Sequence, residues 1–414
     1  MSRTSHAQGG PINCFVALIA FCRIACLLSV SVIATAITVL MLGSAANAET
    51  PDTAFWSQWR GPSQNGVARQ SQIIASQLSS LSDPVWSTSI PGSGGSTPVV
   101  AGNHAYLTTG LDGANTLMCV QLDNGEPKWS VKLGKDTGKK HRKGSGSNPS
   151  AVTDGRFVAA YFRSGDLACV DAGTGEVVWK TNLQSSFGED TLWWDLGASP
   201  ALIDQMVVVA VQQTGPSYLV AYDLATGDVK WKVDRMLGAP EEAAQSYTTP
   251  LGIDVNGESM IAVMGADHLT IHRAIDGSEV GRLGGFNPDQ EKYFRSISSP
   301  VAGMLSDSRT VVLCPYARGA SLTAVDVQKL IAGDDADSIL WALDSTGSDV
   351  PTPAIIEDTV VIVSDGKRNK GTVLGLSLES GETKWEVKLP RSRSSYSASP
   401  LIIGDAVVVV GEDA

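Results

Sequence analysis

The chain has 414 residues, of which 43% are hydrophobic and 18% charged, the balance of a globular protein and not of a disordered one. Its 43 acidic residues outnumber 31 Lys and Arg for a formal net charge of -12. Such a body repels nucleic acid and anionic membrane surfaces, which argues against general polyanion binding outside a local patch of reversed sign.

Residues 1–48 read as an export signal. Arg3 and Arg23 lie before an uncharged apolar run, Ile24 to Leu42, and Ala46-Asn47-Ala48 stands before Glu49. This order predicts cleavage between Ala48 and Glu49 and a secreted or periplasmic mature chain. The alternative is a retained anchor, since the run is long enough to span a bilayer. No later segment is apolar enough to cross one, and no Cys stands at the cleavage point as a lipoprotein signal requires. Cys14, Cys22 and Cys26 would leave with the signal. The mature chain would keep Cys119, Cys169 and Cys314, an odd number that gives no complete disulfide framework.

Residues 49–84 form an N-terminal extension to the repeats, which occupy residues 85–414. A small polar residue followed by Pro recurs at Thr97-Pro98, Asn148-Pro149, Ser199-Pro200, Thr249-Pro250, Ser299-Pro300, Thr352-Pro353 and Ser399-Pro400. The prolines are spaced by 51, 51, 50, 50, 53 and 47 residues. Each period holds a short apolar strand, a polar turn, a second and third β-rich run, and a fourth run ending near a Trp. Pro fits the first residue of a strand, where no ladder N–H is needed. The pattern predicts an all-β propeller of seven blades, with eight as the alternative, each of four antiparallel strands. Pro84 to Ile90, with Trp86, reads as a lone fourth strand. The last repeat holds only Leu401-Ile402-Ile403 and Val407 to Val410, so both ends of the chain would share the closure blade, with its third strand unaccounted for.

The sharpest motif spans the third turn and fourth strand. In Ala221 to Trp231 a small residue, Gly227 and Trp231 occupy positions one, seven and eleven. Cys119, Gly125 and Trp129 repeat this spacing, as do Cys169, Gly175 and Trp179, and Gly375, Gly381 and Trp385. The Trp would bury a large area against the neighbouring blade, the Gly would open a backbone conformation closed to other residues, and the small residue would make room for the ring. Two repeats depart: Gly281 stands where a Trp is expected, and an insertion from Gln328 to Ser338 delays the next Trp to Trp341. Over residues 85–414 this resembles the tryptophan-docking motif of the PQQ-like (pyrroloquinoline-quinone-type) propeller repeat family, closest in type to exported BamB-like propellers. The segment Trp56-Ser57-Gln58-Trp59-Arg60-Gly61-Pro62 is similar to the opening of exported bacterial propeller proteins of unassigned role.

The resemblance implies two functions. One is a non-catalytic binding or scaffold module of the cell envelope, with no cofactor, as in the propeller lipoprotein of the outer-membrane assembly machinery. The other is a quinoprotein dehydrogenase, which would hold PQQ and calcium over the axis, typically within eight blades, and often carries a disulfide between adjacent cysteines. This chain has no adjacent Cys pair. Trp193-Trp194-Asp195 is the segment that would stack on the quinone and supply a base. A structural envelope protein without a defined contact face is a third reading.

The residues themselves point away from catalysis. There is no G-x-S-x-G, Walker loop, H-E-x-x-H or zinc-type cysteine spacing. His268 and His272 lie on one strand, roughly 13 Å apart and too far to share a metal. Charge is more telling. The connections from strand four to the next strand one, and from strand two to strand three, emerge on one face. There Lys135, Lys139, Lys140, His141, Arg142 and Lys143 crowd one loop, and Lys367, Arg368, Lys370, Arg391 and Arg393 fall near the closure blade. Glu189, Asp190, Asp195, Glu241 and Glu242 form an acidic counterpart. The basic loops, with Tyr396 beside them and Trp193 and Trp194 across the axis, are expected to dock another envelope protein or an anionic ligand.

Overall fold

The structure, a computed structural model, describes residues 16–20, 55–68, 77–78, 83–366, 369–392 and 394–412. The expected cleavage point, Ala48 and Glu49, lies outside the described residues, as do Lys367, Arg368 and Arg393. The described strands form seven sheets, each one blade. Blade three shows the plan: Ala201–Ile203 innermost, then Met206–Val211, Tyr218–Asp223 and Val229–Asp234 outermost, all antiparallel. Its two middle strands are covered on both faces by the adjacent blades, so they are buried almost throughout and read as apolar runs. The outermost strand alternates, exposing Val229 and Lys230 and burying Trp231. Among the described residues no helix is long and apolar enough to cross a membrane.

At four blade junctions a tryptophan docks on the turn glycine of the next blade. Trp129 lies on Gly175 of the next blade and donates its Nε1–H to Ala172 O at 3.1 Å. Trp179 does the same on Gly227 with Leu224 O at 2.8 Å, Trp231 on Gly277 with Ala274 O at 2.8 Å, and Trp341 on Gly381 with Leu378 O at 2.9 Å. Gly175 is needed twice over: its φ is +76°, and a Cβ there would stand 2.7 Å from the Trp129 ring. Cys119, Cys169, Ala221 and Gly375 lie directly across the sheet from Trp129, Trp179, Trp231 and Trp385. The cysteines therefore hold packing positions. Burial pushes the Cys119 thiol up to about 11 and the Cys169 thiol up to about 12, which withholds the reactive thiolate.

Three features differ from the sequence expectation. Pro84 to Ile90 forms no ladder, yet Trp86 still docks on Gly125 and donates to Leu122 O at 2.6 Å. The closure blade takes its third strand from Val16–Ala20, whose backbone pairs with Ala406–Val410; cleavage after Ala48 would remove that strand. The third is the extension. Phe55–Trp56 adds to the inner edge of blade one, and Val67–Ala68 pairs in parallel with the inner strand of blade seven. Between them, backbone and side chains bond to the inner strands of blades two, three, four and six. Only a segment on the propeller axis can reach six blades, so residues 55–68 plug the central channel.

Candidate partner-binding face

The loops that emerge above the channel are set on a collar of hydroxyls. Thr97 N donates to Ser150 Oγ, Ser150 N to Ser199 Oγ, Ser199 N to Thr249 Oγ1, Thr249 N to Ser299 Oγ, Ser299 N to Thr352 Oγ1 and Thr352 N to Ser399 Oγ, all at 2.9–3.0 Å. This circuit passes from blade one to blade seven and fixes the start of every blade. It also corrects one register. The blade-two anchor is Ser150, not Asn148, because Ser150 carries the hydroxyl that the circuit uses. Within the collar is a cavity of about 240 Å³ lined by these hydroxyls, with Trp59 of the axial segment also facing it. Beside Trp59 is Arg60, fully buried, donating to Pro353 O and Pro400 O at 2.7 Å. Desolvation lowers its guanidinium to about 9.

The basic loop is held from below by one carboxylate. Asp195, 7% exposed, accepts from Lys140 N at 2.8 Å, His141 N at 2.8 Å and Arg163 Nη1 at 3.1 Å. A buried carboxylate taking two backbone amides and a guanidinium makes strong charge-assisted bonds, so the loop backbone is pinned. Asp195 is thus spent on structure and is not placed as a base. The loop's charges divide. Lys140 Nζ turns inward to Asp190 and Leu192 O, and Lys143 Nζ pairs with Glu412 Oε2 at 2.6 Å. The side chains of Lys139, His141 and Arg142 are exposed.

Trp193 and Trp194 do not lie across the axis. The His141 ring meets the Trp194 indole edge-on at 5.7 Å, so the pair adjoins the basic loop. Both indoles are about half exposed, at 45% and 44%. Trp194 Nε1 donates to Glu242 Oε1 at 3.0 Å, and Trp193 N donates to Gln245 Oε1 at 2.8 Å, which fixes the turn. Tyr396, partly buried, packs against the core beside the closure blade and donates to Pro390 O at 2.7 Å, while Arg391 is exposed. Lys143 and Glu412 tie the loop to that blade through Ser395 O, which accepts from Glu412 N at 3.0 Å.

Nor is the acidic sector separate from the basic one. Asp190 and Asp195 pair with Arg163, Glu241 with Lys292, and Asp349 takes both Nη atoms of Arg295 at 3.0 Å. Sequence reasoning missed Arg163 and Arg295, whose partners lie 27 to 54 residues away. The same pairs bear on a quinone with calcium. Asp190 and Asp195 are committed to Arg163 and Asp349 to Arg295, and the described residues gather no group of three or more acidic, His or Cys side chains as a cation cage. His272 is buried within blade four, its Nδ1 on Gly277 O and its Nε2 on Thr270 Oγ1.

Comparison with known proteins places this geometry. A family profile described as outer membrane protein assembly factor BamB matches residues 67–280, 113–386 and 302–414. Among solved structures, the chain is similar to BamB from Moraxella catarrhalis, at 17% identity over 75% of this chain and 79% of that one, with a TM-score of 0.50. It is similar to quinohemoprotein alcohol dehydrogenase from Comamonas testosteroni, at 11% identity over 86% and 70%, with a TM-score of 0.62. A europium-containing methanol dehydrogenase matches at 12% identity over 84% and 81%, with a TM-score of 0.61. At these identities the structural likeness shows the propeller fold alone. No curated protein matches the chain.

Proposed function

Because the chain belongs to the family described as outer membrane protein assembly factor BamB, we propose that it is an exported, non-catalytic propeller that docks an acidic envelope protein on its upper face. The observation that carries this reading is the pinning of the basic loop by Asp195. A pinned loop presents Lys139, His141 and Arg142 at little entropic cost, beside two half-exposed indoles. Charges of that sign speed encounter with an acidic partner, and adjoining aromatics supply the desolvated anchors where charge alone gives little affinity.

The test is a capture from native envelope with the exported protein as bait, followed by kinetics on the captured partner. Lys139→Glu with Arg142→Glu is expected to slow association about tenfold or more, with an effect that fades as salt rises. Lys140 stays intact, since it braces the loop. Thermal stability should hold. Unchanged association would make the loop ordinary solvated surface, and a quinone difference spectrum in the purified protein would favour the dehydrogenase.

A further inference from the structure

On the lower face the axial segment leaves one of seven equivalent positions unfilled. Three residues after each collar residue, the inner strand turns an amide toward the axis. In blade one that residue is Val100, paired with Trp56. In blade two Thr153 N donates to Ser57 O at 2.8 Å, and in blade three Leu202 N donates to Gln58 Oε1 at 2.8 Å. Gly252 N of blade four donates to Gln64 Oε1 at 2.9 Å. Ile355 N of blade six meets Asn65 O at 3.3 Å, and Ile402 N of blade seven meets Gly66 O at 2.8 Å. The equivalent in blade five is Ala302, and among the described residues no acceptor of the axial segment reaches it.

A cavity of about 450 Å³ lies at that position, open to solvent between the axial segment and blades three to five. The inner strand of blade five, Val301–Met304, borders it with Ala302 and with Gly303, which has no side chain, so the strand edge stays accessible. Leu202 and Ile253 give it apolar wall, and Met304 is 56% exposed at its mouth. Asp204 and Asp254 line it, and no Lys or Arg does.

The geometry points to a docking site for an extended basic peptide segment, which adds along Val301–Met304 as the missing inner strand. The six filled positions define what the amide of Ala302 takes: a carbonyl oxygen from an extended chain or an amide side chain. A strand added to an open edge gains main-chain hydrogen bonds, and its alternate side chains find pockets. One side chain would face Leu202, Ile253 and Met304, and a Lys or Arg of the segment would face Asp204 and Asp254. This site is separate from the upper face and does not rest on docking there.

The experiment is fluorescence anisotropy of a labelled Lys-Val-Lys-Val peptide added to the full chain, with Glu-Val-Glu-Val as the counter-probe. The basic peptide should bind saturably and lose affinity severalfold in high salt, while the acidic one should not bind. Ala302→Pro deletes an amide the fold does not use, on an edge where Pro is tolerated. It should lower affinity about tenfold or more without changing Tm. Should that variant fail to fold, Asp204→Asn with Asp254→Asn decides. It leaves the backbone untouched and should abolish the preference for the basic peptide, whereas Lys139→Glu should leave it intact. Failure of the basic peptide to bind, equal binding of both peptides by the parent protein, or a preference for the basic peptide that survives the aspartate changes overturns the site.

Discussion

Between blades three and four, the Trp231 indole lies across Gly277 and bonds Ala274 O. Between blades four and five the matching outer-strand residue is Gly281, and the space is filled from the opposite side. Leu330, on the short helix Val327–Ile331 of blade five, would stand 3.2 Å from a Cβ at Gly281. That helix is the insertion. It is capped by Asp326, whose side chain accepts from Lys329 N and pairs with Arg309 at 2.7 Å. Across the sheet from Gly281 stands Ile271, where other blades put Cys, Ala or Gly opposite a Trp. Lost indole, enlarged neighbour and inserted helix are therefore one packing change. A blade junction needs a filled apolar surface, and either partner can supply it.

The comparison breaks most directly at Trp231. Truncation to Ala should cost about 3–5 kcal/mol in urea denaturation, and a loss below about 1 kcal/mol would show the indole to be dispensable. Leu330→Ala should cost about 2–4 kcal/mol if the helix does the same work, and far less if it only rests on the surface. Gly281→Trp, which restores the motif, should instead destabilise by about 1–3 kcal/mol through overpacking. Combined with Leu330→Ala it should cost less than the sum of the two, since each relieves the other; strict additivity would mean they do not share the space.

The smallest effect concerns His272, in the third strand of the same blade four. Burial holds its imidazole down to about 4 from an ordinary 6.5. As pH falls below 6.5 the unfolded chain binds this proton and the folded chain does not. The stability it contributes is therefore complete above 6.5 and is lost as pH falls toward about 4. The slope is at most about 1.4 kcal/mol per pH unit. His272→Gln should flatten the dependence of the urea midpoint on pH in that window, and an unchanged slope would assign it to other groups.

The candidate face was only partly legible from the chain. The crowding of Lys135 to Lys143 is visible in one nine-residue stretch, but its division is not. Lys140 and Lys143 turn toward Asp190 and Glu412, which lie 50 and 269 residues away, and no local pattern announces such partners. Strand order alone sets Trp193 and Trp194 across the axis. They adjoin the loop because it leans over blade two to reach Asp195, a path set by a carboxylate outside the repeat pattern.

What the sequence determined by itself was the repeat: seven periods, the turn glycines, and the tryptophans with their small partners. These are local requirements, restated every 50 residues or so, and each is met within a blade or against the next. Only the tertiary structure decided what lies on the axis. Residues 55–68 follow no period, so the chain presents them as an appendage; closing the ring puts Arg60 within reach of Pro353 and Pro400, 293 and 340 residues onward. The axis is the one place where all blades converge. A segment there satisfies inward amides contributed from six blades at once, and that need exists only after the propeller has closed.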